Sequence, residues 1–234
     1  VRPVTEHPAK FTEAILNVIG DMVMAESEGR ELRLLDPFAG TGKIHELHNP
    51  PRVRTFGCEL EPEWASMHPR TKVGNALHVS SYDWAQPKFD IVATSPTYGN
   101  RMADHHEAKD DSKRMTYRHR LGRMPHPDSS TTLAWGQKYW EFHQQAWLEI
   151  NRVIAPGGLF ILNVKNFYRT KRVKGVKVVE EVDVCQWHLD TITSIGYRVE
   201  AAVVVPVRGM RMGANHTKRV NHEMVYGLRK EAPR

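Results

Sequence analysis

A chain of 234 residues with 40% apolar side chains can bury one sizeable core, and it is short enough that a single domain spanning 1–234 is the default. Thirty-three Lys and Arg against 27 Asp and Glu leave a net charge of +6, a balance that favours a polyanionic partner. No apolar run is long enough to cross a bilayer, the opening VRPVTEHPAK lacks the order of a secretory signal, and two distant cysteines make neither a disulfide scaffold nor a four-ligand zinc site, so the expectation is a soluble cytoplasmic protein.

In chain order, Phe11, Ile15, Val18, Ile19 and Met22 follow helical spacing and predict a helix over 10–25. ELRLLD at 31–36 predicts a strand that runs into Gly40 and Gly42, and VRTFGCEL at 53–60 a second strand ending in acids. A short pattern at 71–77 precedes KFDIVATS at 88–95, a buried strand ending at Pro96. Strands alternating with helical stretches predict a mostly parallel sheet with helices on both faces.

From Gly99 to Trp135 the periodicity disappears, and the polar insert 100–135 is longer than an ordinary connection. Helical spacing returns through Tyr139, Ala146, Ile150 and Val153, is halted by Pro156, Gly157 and Gly158, and gives way to the strand GLFILNV at 158–164. A helix over 184–195 should stop at Gly196. Strands at 197–207 and 222–228 should form an antiparallel edge, leaving 229–234 as a flexible tail.

The segment Asp36-Pro37-Phe38-Ala39-Gly40-Thr41-Gly42-Lys43 sits where a strand ends. Glycines let a backbone approach a ligand closely, and ligands of open α/β sheets bind at the carboxyl ends of strands, so the place suits a nucleotide-like cofactor. A phosphate-binding P-loop fails on glycine spacing and on Ile44 after Lys43. DPFAGTGK resembles the first motif of the amino-methyltransferases that act on DNA, which bind S-adenosylmethionine there. The likeness extends along almost the whole chain and is specific at 36–43 and 94–99.

That resemblance implies a class I, Rossmann-like methyltransferase domain with a seven-stranded sheet and an antiparallel edge strand. It implies cofactor contacts from Asp36, Pro37, Phe38, Ala39, Gly40, Thr41 and Gly42, and from Lys10 and Phe11 in the upstream HPAKF. Glu59, ahead of Glu61, would take the ribose hydroxyls beside Leu60, since a carboxylate accepts several hydrogen bonds. Asn75 and Ala76 would read the adenine edge, with Asn75 where the family usually has Asp. The product would be S-adenosylhomocysteine.

Thr94-Ser95-Pro96-Thr97-Tyr98-Gly99 resembles the family's second signature, (Asp, Asn or Ser)-Pro-Pro-(Tyr or Phe), with Thr97 in place of the second proline. An exocyclic amine is a poor nucleophile because its lone pair is delocalised into the ring. A side-chain oxygen and a proline-fixed carbonyl can accept its two hydrogens and favour the pyramidal nitrogen, roles that fall to Ser95 and Pro96. The resemblance also implies that Ser95 borders the cofactor. Tyr98 would stack on a base flipped out of a duplex. In the family a leading Ser goes with cytosine N4 more than with adenine N6, and the C5-cytosine mechanism lacks its cysteine here.

Residues 164–177 hold six Lys or Arg and no acid, interleaved with Phe167 and Tyr168, and residues 208–219 hold four and none. Such loops suit a phosphate backbone; a solvated hairpin is the alternative for the first of them. Candidate nucleic-acid contacts are Arg101, Arg114 and Arg118 in the insert, Lys165, Asn166, Arg169 and Arg172, and Asn215, His216 and Arg219. The insert is expected to recognise the target. Its histidines show no metal-ligand spacing, so no metal site is expected.

The expectation is therefore a site-specific methyltransferase of double-stranded DNA, of the kind found in bacterial or phage modification systems, with a homodimer compatible. A methyltransferase of RNA base amines and a non-catalytic nucleic-acid-binding relative are the alternatives.

Overall fold

The computed structural model describes His7 and residues 11–99, 116–207 and 220–232. Helix α1 (Glu13–Ala25) begins where Thr12 Oγ1 accepts the Ile15 amide, an N-cap that satisfies one of the donors a helix start leaves unpaired. Its Ile15, Leu16, Ile19 and Val23 are buried against one face of the sheet.

That sheet contains β1 (Leu32–Asp36), β2 (Val53–Glu59), β3 (Thr71–Val73), β4 (Phe89–Thr94), β5 (Ile154–Val164), β8 (Tyr197–Pro206) and β9 (His222–Lys230), in the order β3-β2-β1-β4-β5-β9-β8. The first five run parallel, and β9 runs antiparallel to both β5 and β8. The expected mostly parallel, seven-stranded Rossmann-like sheet is thus present. The two last strands do close one side of it, with the reversed strand β9 one place in from the edge strand β8.

Burial on both faces explains the apolar strands. In β1, Leu32 and Leu34 join α1's side, while Leu35 faces a second cluster under α4 (Gln137–Val153) and α5 (Val184–Ser194). The period of two along a strand divides the same short run between two cores.

Four expectations need correction. Strand β5 starts at Ile154, directly from α4, and passes through Pro156-Gly157-Gly158. Pairing with β4 jumps from Phe89↔Ile154 to Ile91↔Leu159, so a bulge takes up the proline and both glycines. The basic stretch after β5 is the hairpin that stood as the alternative, rather than a loop. It forms β6 (Phe167–Val173), which with β7 (Val176–Val182) makes a separate two-stranded sheet.

Within the insert, α3 (Tyr117–Leu121) is capped by Thr116 and ended by left-handed Gly122, and 130–132 form a short 3-10 helix. Last, Arg229 and Lys230 belong to β9 rather than to a tail. Arg229 is held by both carboxylate oxygens of Glu26 and by Glu200, and the Lys230 ammonium bonds the Ile154 carbonyl. Among the described residues, no helix is long and apolar enough to cross a membrane.

Candidate functional site

Strands β1, β2 and β4 end side by side, and their last residues build the first half of the site. Asp36, closing β1, accepts the Phe38 amide at 3.0 Å and the Thr94 hydroxyl from β4 at 2.7 Å. Burial lifts its carboxyl to about 7 against these two bonds. The turn then folds back: Ala39 N–H donates to the Cys58 carbonyl, and Gly40 N–H donates to Glu59 Oε2 at 2.8 Å.

Gly40 and Gly42 have φ of 53° and 82°, in the left-handed region that disfavours a side chain. A Cβ on Gly40 would lie 3.1 Å from the His7 ring, and one on Gly42 would lie 2.8 Å from both His45 and His68. The glycines therefore also let three imidazoles close on the turn.

Glu59 closes β2. Its Oε1 accepts the Glu61 amide at 2.9 Å, and burial, opposed by the two backbone bonds, raises its carboxyl to about 7. Glu61 is otherwise engaged, accepting the Arg123 guanidinium at 2.7 Å and the His126 amide at 2.7 Å. Of the two acids, Glu59 is the one at the glycine turn. Each Glu59 oxygen has accepted one hydrogen and keeps a lone pair, so a diol could still be bound there.

Asn75, following β3, caps Leu77 through Oδ1 and donates from Nδ2 to Asp128 at 3.0 Å. The insert thereby brings a carboxylate to Asn75, the position where an Asp would complete the resemblance described above. Ala76 is buried beside Asn75, Pro37 and Ala39 are buried, and Phe38, Thr41 and Leu60 are half-buried around the turn. Phe11 packs into the core with α1, and Lys10 lies outside the described residues.

The second half of the site lies at the ends of β4 and β5 and the start of β9. Ser95 Oγ is 3.0 Å from the Tyr98 hydroxyl, which donates to Glu223 Oε2 at 3.1 Å. Asn163 Nδ2 donates to Ser95 Oγ at 3.1 Å and to Glu223 Oε2 at 2.9 Å. Facing a carboxylate fixes which way the Asn163 amide points, because only its NH2 can donate. Its Oδ1 is then a buried acceptor with no partner.

Tyr98 joins this cluster through its hydroxyl while its ring packs on the core under α4 and α5. Burial raises its hydroxyl well above the usual range. Sequence reasoning missed Asn163 and Glu223. The available signal was one polar residue inside the apolar run GLFILNV.

Behind the Ser-Pro-Thr-Tyr turn runs a buried relay from α4 and α5. Trp147 donates its indole hydrogen to His188 Nδ1 at 3.1 Å, so the other ring nitrogen carries the histidine's proton. His188 Nε2 donates to the Tyr139 hydroxyl oxygen at 2.9 Å, and Tyr139 donates to the Thr97 carbonyl at 2.6 Å. Burial, and then His143, hold His188 well below the usual histidine range, so the relay is neutral. The Thr97 hydroxyl donates to the Ser130 carbonyl, and Trp135 N–H donates to the Gly99 carbonyl at 2.8 Å.

The described part of the insert thus lies across the ends of β2, β3 and β4. Tyr117 and Leu121 form a small core with Trp64, and the His7 ring sits 4.4 Å from Trp64 and 5.1 Å from Tyr117. Arg118 is exposed on α3. Among the other candidate nucleic-acid residues, Asn166 donates to Glu181 and accepts the Cys185 amide, and Arg169 pairs with Glu180. Arg172 has no ion-pair partner among the described residues, and Lys165 borders a pocket with Asn166, Gln186 and His222. Arg101, Arg114, Asn215, His216 and Arg219 lie outside the described residues. No group of metal-ligating side chains occurs among the described residues.

No family model matches the chain, and no curated protein matches it. Solved structures do. An S-adenosylmethionine-dependent methyltransferase from Methanosarcina mazei is 12% identical over 90% of this chain and 98% of its own, with a TM-score of 0.54. The 1,6-didemethyltoxoflavin-N1-methyltransferase of Burkholderia thailandensis, solved with S-adenosylhomocysteine bound, is 17% identical over 94% of this chain and 79% of its own, with a TM-score of 0.50. TrmN from Thermus thermophilus is 14% identical over 91% of this chain, with a TM-score of 0.50, and the chain spans about half of its length (48%). These likenesses show the fold, which is the Rossmann-like sheet of class I methyltransferases.

Proposed function

We propose that the protein is an S-adenosylmethionine-dependent methyltransferase that modifies an exocyclic amine of a base in double-stranded DNA, cytosine N4 ahead of adenine N6. The observation that carries this reading is the polar cluster at the strand ends, where Asn163 Nδ2 and the Tyr98 hydroxyl hold Ser95 Oγ next to Pro96. A primary aromatic amine would bring two hydrogens, one to Ser95 Oγ and one to the Pro96 carbonyl. Accepting both pulls the nitrogen out of conjugation and exposes its lone pair.

When bound, S-adenosylmethionine supplies an electrophilic methyl group on a sulfonium. The residues that would hold it are the 37–42 turn, Glu59 for the ribose hydroxyls, and Asn75 with Asp128 at the adenine. Glu59 suits that task because it lies at the turn with a lone pair left on each oxygen. Once methylated, the amine carries one hydrogen too many. Glu223, joined to Ser95 through Asn163 and Tyr98, is the carboxylate of the cluster that can take the proton.

The test is incubation with methyl-labelled cofactor and duplex DNA, single-stranded DNA or RNA, followed by nucleoside analysis. N4-methylcytosine in duplex DNA is the expected result. Label confined to RNA moves the substrate to RNA, and no label on any polymer despite cofactor binding overturns the enzyme reading. Ser95→Ala and Glu223→Gln should each lower turnover by about a hundredfold while leaving cofactor affinity within a few fold.

A further inference from the structure

Strands β6 and β7 leave the body at the end of β5 and return at α5, so they stand on the same side of the sheet as the site. Their seven residue pairs span roughly 24 Å at ~3.4 Å per residue. Apart from Val182 at the root, almost every residue is exposed on both faces. A lone two-stranded hairpin is marginal in water. This one is sustained by its root, where Asn166 bonds both Glu181 and the Cys185 amide, and by a Lys174-Gly175 turn with φ of 49° and 82°, the two left-handed residues of a tight hairpin.

The pairing register gives the two faces different electrostatics. On one face Glu180 is held by both Arg169 and Lys171, so the cations there are largely answered. On the other face Arg172 stands directly opposite Lys177, next to Lys174 at the tip, and none of the three has an acidic partner among the described residues. Like charges opposed across a ladder are destabilising. An uncompensated trio at the end of an exposed arm is an arrangement that a polyanion would relieve.

We propose that this ribbon is a duplex-engaging arm, with the Arg172, Lys174 and Lys177 face seated against double-stranded DNA beside the target base. The inference rests on the nucleic-acid reading above and adds the element, the face and the helical form of the partner. A two-stranded ribbon fits the major groove, about 12 Å wide. Single-strand binders rely on rows of aromatic platforms, and the ribbon's aromatics, Phe167 and Tyr168, both sit at its root. A second copy of the chain would meet the trio with its own cations.

The test is fluorescence anisotropy of the full chain with a labelled duplex between about 50 and 200 mM salt. Arg172→Glu/Lys177→Glu should weaken duplex binding at least tenfold and reduce the slope of log affinity against log salt by about 2, near 0.9 per lost phosphate contact. The neutral pair Arg172→Gln/Lys177→Gln should reduce the slope in the same way, and Lys171→Gln on the opposite face, where the ammonium is already paired with Glu180, should change affinity less than about threefold. Unchanged affinity and slope in the double variants overturn the arm. So does a wild-type dimer that dissociates in these variants by sedimentation, since the ribbon would then join two copies. Duplex binding through the arm without methyl transfer would leave the arm standing and remove the base-methylation reading; transfer to a polymer with no duplex affinity would do the reverse.

Discussion

Glu59 is pulled in two directions. Burial, followed by the charges of Glu61 and Asp36, moves its proton affinity from the ordinary 4.5 up to about 7, while amide hydrogens from Gly40 and Glu61 favour the anion. Only the anion has lone pairs enough on both oxygens for the two backbone donors and two ribose hydroxyls together. Cofactor affinity should therefore climb as pH rises through about 7, by at most about tenfold per pH unit, and level off above. Isothermal titration at pH values on either side of 7 checks this, with Glu59→Gln expected to bind weakly and without that slope. A flat wild-type profile would remove Glu59 from the cofactor site. Stability follows the same linkage. The folded carboxyl keeps a proton that the unfolded one releases, so Glu59's contribution is greatest below about 4.5, falls as pH rises from there to about 7, and is flat above. Asp36 adds a loss of the same sign, and Glu59→Gln should flatten the dependence of melting temperature on pH across that window.

At the scale of elements, helices α4 and α5 act on the Ser95–Tyr98 turn through Trp147, His188 and Tyr139. With Thr97 in place of a proline, the turn lacks one ring that would stiffen it, and the Tyr139 hydroxyl fastens the Thr97 carbonyl instead. Tyr139→Phe removes that bond and leaves His188 Nε2–H buried without an acceptor, a loss of about 1–3 kcal/mol readable in urea denaturation. Turnover should fall with little change in KM, because the reacting atoms lose their positioning while the cofactor turn is untouched. Equal loss in both would show a general structural role. This support was not legible in the sequence. Strand ends declared themselves locally, through Asp36 to Gly42 and Ser95 to Tyr98, because glycine and proline mark where a chain must turn. Tyr139 lies 42 residues beyond Thr97, and nothing local joins them. Glu223 reads as an ordinary polar residue at a strand start, and Lys174-Gly175 is an uncommon pair for a hairpin, which is why loop and hairpin both stayed open for the ribbon.

Across the whole molecule, the segment 116–135 joins the two halves of the site. It touches the β2 end through Arg123 and Glu61, the β3 end through Asp128 and Asn75, and the β4 end through Ser130 and Thr97. A segment expected for target recognition thus also covers the ends of β2 and β3, where the cofactor is proposed to bind, and its hold depends on Arg123. Glu61 has a side chain only 3% exposed and needs the guanidinium, whereas Glu63 meets the same Arg123 from a side chain 34% exposed. Removing Arg123 leaves a buried carboxylate with a single backbone donor, a far poorer arrangement than losing the exposed partner. Arg123→Ala should therefore speed cofactor release several-fold and open 116–135 to limited proteolysis, and added cofactor should restore protection. Glu63→Ala should do much less, because water replaces it at little cost. Stopped-flow release rates and digestion time courses separate the two. If Arg123→Ala releases cofactor at the wild-type rate, the segment is a bystander to the cofactor, and any target-recognition role must be argued without it.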